Sequence, residues 1–580
     1  MKKMSFIKKI QNFSFKELFF LSSVFGLFFL PFIYVWAGFP FFINEDLAYV
    51  ALGGVIPYSD AAGYYAGAEW FLRSGELDFW NMRRPLNALL LAVRLKLSGG
   101  DFQGALLIQA ALCGIGAVFF ARTVSRVLGT KAAFIAILIC FFWAQTYIPT
   151  TMTEPLGLFL GLLATTLLIE GSYLERPFVF GIGMFVLTVG LNTRAGPFLI
   201  LPFLFLWVVF SPLFKGRRHW LLFLGGGVIL GFLYPKALLF FYGSPEVGGE
   251  MHANFAPTLY GLARGGLTWV SGYEALEGLG IIGESDQAMW LYKESMRLIL
   301  ENPFNLIKGL ILNLCRFLKF FLNIKYVFGF FSYPIDWIFC IGVPFVLYYY
   351  GKCYKFFISS YKNFERIKDI ALIGGIGCFF SAAITFDSGG IRTFAVGMPF
   401  ISLLLVMPFA SFSENNKRAF PKGNFLILFV TFITLLSGLI LPALMSVDKK
   451  GRTSCDQGQN KEIHQSSDEK IIEVCTLKNY PFLNVKKEAS KIGERPHISP
   501  ERLSEIKNLE KFYLREDLEK LKSKVPYSIG LVFDETTRQF FLIVGPLDWF
   551  KKETQKKIQT LSLKHEIGFS DNLYFLQKVF

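Results

Sequence analysis

Five polar places in an otherwise apolar chain carry the residue types that chemistry needs. Asp60 stands in SDAAGYYAGAEWF, where helical spacing puts Tyr64, Gly67 or Ala68, and Phe71 on its own face and presents the carboxylate against small residues, as a proton acceptor facing a cavity. Glu154, in TTMTEPLG, opens an apolar run directly before Pro155. Arg83 and Arg84 precede Pro85, Arg194 sits in the short turn LNTRAGP, and Arg392 lies in DSGGIRTF. A guanidinium offers several planar donors and suits a phosphate or diphosphate at a membrane surface better than an ammonium does. Each position also has a plainer reading. Asp60 caps a helix with help from Ser59, Glu154 complements a helix dipole, and the arginines reach for lipid headgroups. Arg194 has no other charge near it in sequence, so its partner is Glu154 or a ligand.

The elements that must position these groups follow from composition. Of 580 residues, 53% are hydrophobic and only 18% charged, too few charges to clothe several soluble domains. Phe contributes 66 residues, mostly in apolar blocks between short basic loops. The expected fold is an α-helical polytopic membrane protein of about eleven transmembrane helices with interfacial helices on its outer face. The spans fall roughly at 17–38, 103–121, 131–149, 154–170, 178–193, 196–210, 219–241, 333–350, 369–386, 394–410 and 424–446. Five scattered histidines and eight cysteines without a C-x-x-C pair exclude a zinc or thioredoxin-like centre as the leading idea. The formal charge of +15 reads as topology and anionic lipid rather than nucleic acid, because the basic residues sit in loops between spans.

Loop charge also orients the chain. Lys2, Lys3, Lys8, Lys9 and Lys16 precede the first span, which reads as uncleaved. Arg122, Arg126 and Lys131, then Lys215, Arg217 and Arg218, then Lys352 to Lys368, then Lys417, Arg418 and Lys422 fall on the same side, so the N-terminus is expected inside. The alternation holds only if Asn302 to Phe321 lies along the outer interface as an amphipathic helix. Pro85 to Leu97, short and bracketed by arginines and lysine, is likewise expected to lie on the membrane.

Residues 1–446 thus form the membrane domain and 447–580 a small extracytoplasmic α+β domain. In the latter a helix is expected over Ser499 to Lys524, and two strands at Ser528 to Phe533 and Gln539 to Val544. An oxidising outer compartment favours a disulfide between Cys455 and Cys475.

The order of these features resembles the polyprenyl-phosphate-dependent glycosyltransferases of the GT-C class, and within it the protein O-mannosyltransferase and lipid A aminoarabinose transferase group. The likeness runs over roughly residues 17–410. It comprises Asp60 in the first outer loop, Arg83-Arg84-Pro85 starting a second helix, Thr153-Glu154-Pro155-Leu156 opening a span, the Asn302-Pro303 helix, and Arg392 followed by Met398-Pro399. The resemblance implies inverting sugar transfer at the outer face of the cytoplasmic membrane, from a lipid-linked sugar phosphate to a protein, lipid or glycan acceptor. It implies Asp60 as base or its organiser, Glu154 as a second acid, and Arg84 and Arg392 near the lipid phosphate, with Arg83, Arg194 and Tyr64 beside them. Many members carry two adjacent acids in the first loop, whereas Ala61 follows Asp60 here and Glu45-Asp46 lie upstream. The base and any divalent-cation requirement therefore stay open, and no other cofactor is implied. No G-x-x-x-x-G-K-[ST] loop is present, and no dinucleotide fingerprint follows a predicted strand. Three other classes remain: a flippase or transporter for lipid-linked glycans, an O-antigen ligase or polymerase, and a structural membrane protein. A transporter would place its charges at mid-span, whereas these lie at span ends.

Overall fold

The computed structural model describes residues 15–37, 60–243 (except 215), most of 253–322, and 362–386, 390–409 and 425–444. It also describes the paired strands Ala51–Leu52 and Ile56–Pro57, and six strands from Glu469 onward. The chain is a helical membrane protein. Among the described residues four helices are long and apolar enough to cross a bilayer: Phe102–Leu128, Glu154–Tyr173, Arg217–Tyr242 and Glu365–Thr385.

Glu154–Tyr173 is the axis of the bundle, with 94% of its most apolar stretch buried, while Arg217–Tyr242 has only 28% buried and turns its apolar surface outward. Small residues let the axis approach its neighbours. A Cβ on Gly161 would lie 2.5 Å from the Val396 carbonyl oxygen, so only glycine admits that backbone. Two polar groups on the axis are satisfied locally: Thr166 Oγ1 donates to Leu162 O (2.7 Å), and Glu170 accepts from Thr123 Oγ1 (2.9 Å).

Several expected spans are shorter or broken. The first splits into Phe15–Leu27 and Leu30–Ala37. The 131–149 run ends as a helix at Ala144 and continues as a buried turn through Thr153. The 394–410 run begins with the 3₁₀ turn Gly390–Phe394 and becomes α-helical only at Met398–Val406. The run 333–350 lies outside the described residues. Glu284–Glu301 and Pro303–Leu322 meet at a sharp bend, 108° between Ser285–Glu301 and Pro303–Leu318, at the Asn302-Pro303 step.

Pro85–Leu97 corrects the expectation that it lies on the membrane. Every residue from Pro85 to Leu95 is buried, Arg94 included. Of the bracketing charges that suggested an interface, Arg94 is sheathed in protein while Lys96 stays exposed: Arg94 donates to Gln109 Oε1 and, through Nε, to Leu90 O (3.2 Å). Gln109 passes the support on, donating through Nε2 to Ile148 O and Thr150 O (2.8 Å each). This chain pins the turn that delivers Glu154.

Beyond residue 469 the strands Tyr527–Asp534 and Gln539–Pro546 pair antiparallel, close to where the alternation put them. They join a six-stranded sheet with Gln539–Pro546 parallel to Leu573–Val579. The expected helix at 499–524 and the Cys455–Cys475 pair lie outside the described residues.

Candidate active site

A cavity of about 600 Å³ collects the predicted groups. Asp60, Tyr64, Arg83, Arg84, Arg194 and Arg392 all line it. They come from four stretches of chain, and each is placed for a local reason.

Asp60 is the first residue of the helix Asp60–Ser74, which buries Tyr64, Ala68 and Phe71 as the spacing required. The start of that helix is tied to the turn before Glu154, because Thr151 Oγ1 donates to Ala61 O at 2.6 Å. The Arg83-Arg84 step follows a single helical turn capped by Asp78, whose carboxylate accepts from Asn81 N at 2.8 Å. Asn81 Nδ2 in turn donates to Gly63 O (3.0 Å), fastening this turn to the Asp60 helix. Arg84 has φ −142° and ψ 62°, held out of the helical region by Pro85 as residues before proline are. Its Nη1 donates to the Tyr64 hydroxyl. Burial pushes the Tyr64 phenol above its usual range, with Arg84 pulling the other way, so the pair is a cation on a neutral hydroxyl. Arg83 lies over the Trp80 ring, 4.6 Å from its centroid.

Arg194 ends the helix Pro177–Thr193 and is 2% exposed. Its Nη2 lies 3.3 Å from Glu154 Oε1, close enough for a charge pair though without the alignment of a hydrogen bond. Burial lowers the Arg194 guanidinium to about 10 against the raising effect of Glu154, which leaves it charged at neutral pH. The partner left open by sequence is therefore Glu154. The acid itself is fully buried behind Arg194 and is not part of the cavity wall.

Arg392 arrives from the 3₁₀ turn Gly390–Phe394, and its Nη2 stands 3.5 Å from Asp60 Oδ2. Both side chains keep about a quarter of their surface, 23% and 25%, so the pair is reachable from the cavity. Gly196 makes the arrangement possible, since any Cβ there would overlap the Thr393 carbonyl oxygen. Gly196→Ala is expected to destabilise the protein by about 1–3 kcal/mol and to swing Arg392 away from Asp60. Thermal unfolding and ligand affinity of the variant check both effects; wild-type values in each would show that the turn tolerates a side chain.

The remaining wall was not foreseen. Trp80, Asn192 and Phe232 line it from the helical core, Phe255, Pro257 and Thr258 from the helix Phe255–Ala263, and Trp269 and Tyr273 from around Val270–Leu276. Neutral side chains leave no trace in charge patterning; Asn192 alone carried a signal, two residues before the flagged Arg194. Glu45 and Asp46 lie outside the described residues. Among the described residues no group of three or more His, Cys, Asp or Glu converges to hold a metal ion, and both carboxylates face arginines. The lining set with Glu154 behind it brings four arginines against two carboxylates, a surplus that favours an anionic ligand. No protein-family model matches the chain, and no curated protein matches it in sequence.

Proposed function

We propose that this protein is a membrane glycosyltransferase. It moves a sugar from a polyprenyl-phosphate donor to an acceptor hydroxyl at the outer face of the cytoplasmic membrane, with inversion. The observation that carries the reading is the convergence of Asp60 with Arg84, Arg194 and Arg392 on one cavity. In this reading the lipid stays in the bilayer and Arg84 and Arg392 hold its phosphate. Asp60 Oδ2 takes the proton of the acceptor hydroxyl, whose oxygen attacks the anomeric carbon. The bond from that carbon to the phosphate oxygen breaks, and the departing electron pair rests on the phosphate, stabilised by the guanidinium groups. Ligand phosphate competes for Arg392 and frees Asp60 to face the acceptor. The acceptor is a protein, lipid or glycan, and no step is routed through a divalent cation.

The test is a reconstitution in liposomes with hexosyl and pentosyl polyprenyl phosphates and an envelope acceptor fraction. The expected result is sugar in the acceptor with one polyprenyl phosphate released per transfer. Movement of intact donor between leaflets without release would replace the enzyme with a flippase.

The same reading includes eleven spans, with the N-terminus inside, Asn302 to Phe321 along the outer interface, and residues 447–580 as an outer domain. Reporter fusions after residues 125, 290, 360 and 460 are expected to report inside, outside, inside and outside. Agreement between the fusions at 290 and 360 would overturn the odd number of crossings between them.

A further inference from the structure

Polar atoms in the cavity wall have no task in that mechanism. Thr258, on the helix Phe255–Ala263, is 1% exposed, and its Oγ1 has no hydrogen-bond partner. Asn192, 8% exposed, donates through Nδ2 to Thr188 O (2.9 Å) and Gly231 O (3.5 Å), which fixes the amide and leaves Oδ1 without a partner. Arg194 Nε, beside it, is a third buried atom with none. Most buried polar atoms in native proteins are matched, and Thr258, Asn192 and Arg194 all line the cavity, so its occupant is the group placed to match them.

The three demands differ. Arg194 Nε–H needs an acceptor, Asn192 Oδ1 needs a donor, and Thr258 Oγ1 takes either. A lipid chain meets none of them, and a phosphate, being all acceptor, cannot serve Asn192. A polyhydroxylated group serves all three, because every hydroxyl both donates and accepts. We propose that Asn192 and Thr258 are specificity-determining residues that read the hydroxyls of the transferred sugar, while the arginines hold the phosphate that all candidate donors share. This rests on the glycosyl-transfer reading and adds to it a division of labour. The cationic set comes from residues 83–84, 194 and 392, whereas Thr258 comes from the segment between the Arg217–Tyr242 helix and the Glu284–Glu301 helix. Around Thr258 the backbone is closely packed: Gly272 lies against Pro257, and Gly261 against Leu267 O, each too closely for a side chain.

A hydroxyl lost from such a site costs discrimination rather than phosphate affinity. The full chain in nanodiscs is titrated with bare polyprenyl phosphate and with its hexosyl, N-acetylhexosaminyl and pentosyl derivatives. The wild type is expected to hold one sugar derivative at least about tenfold more tightly than the bare lipid. Thr258→Val, close to isosteric, is expected to cut that preference by roughly three- to tenfold and leave bare-lipid affinity unchanged, and Thr258→Ser to restore it. Asn192→Leu is expected to act in the same direction; should it fail to fold, Thr258→Val decides alone. A preference that survives Thr258→Val overturns the inference. So does a wild type that binds all four lipids equally, since the unmatched atoms then hold water only; both outcomes leave the phosphate-binding reading standing. Failure to bind any of the four lipids overturns the glycosyl-transfer reading itself.

Discussion

Asp60→Asn is expected to lower sugar transfer by at least about 10²-fold, the lower end of what general-base help contributes, while the protein reaches the membrane in normal amount. Asparagine starts a helix about as well as aspartate, so a residue that merely caps the helix Asp60–Ser74 would lose nothing by the change. The carboxylate, however, faces the cavity and stands 3.5 Å from Arg392. Removing its charge takes away one competitor of the ligand phosphate for Arg392, so donor affinity is expected to hold or to rise as turnover falls. A fall in kcat with an unchanged or lower KM is therefore the signature of the base, whereas a residue that only caps the helix would leave kcat, KM and the amount of folded protein unchanged. Near-normal turnover of a defined donor by purified Asp60→Asn would remove Asp60 from the mechanism and pass the role to Glu45, Asp46 or Glu154.

The site was legible in the sequence where charge betrayed it. Asp60, Arg84, Arg194 and Arg392 are ionisable groups at the edges of apolar runs, which a membrane protein keeps only for a reason, and the fold gathers them although Asp60 and Arg392 are more than 300 residues apart. The pairing was not legible, because which carboxylate meets which arginine depends on contacts such as that of Gly196 with Thr393, which have no periodicity. Apolar periodicity located the helices but misjudged the Pro85–Leu97 helix, since an arginine beside an apolar face reads the same whether it meets headgroups or a buried Gln109. Span length was overread for the same kind of reason. An apolar run such as 131–149 satisfies hydropathy whether it continues as helix or folds into a buried turn, and the Gln109 bonds to Ile148 O and Thr150 O make the turn affordable. The neutral wall, Asn192 apart, carried no sequence signal.

Glu154→Gln is expected to act mainly on stability, and by more than the other substitutions. Glu154 is fully buried, hydrogen-bonded by Thr153 Oγ1 at 3.3 Å and set against the Arg194 guanidinium, itself 2% exposed. Taking the negative charge away leaves a buried cation uncompensated, at a cost of about 3–5 kcal/mol. Replacing both, as Glu154→Gln with Arg194→Leu, removes the stranded charge and is expected to recover most of that loss, while donor binding stays impaired because the cavity has lost a cation. This non-additivity separates an anchor for Arg194 from a second catalytic acid. An acid that handled protons would lose turnover as Gln with little change in unfolding, and the double replacement would recover nothing. Unfolding of the two single variants and the double variant in detergent, read beside their donor affinities, distinguishes the two roles. A Glu154→Gln protein as stable as the wild type but at least about 10²-fold slower would return Glu154 to the chemistry, despite its place behind the cavity wall.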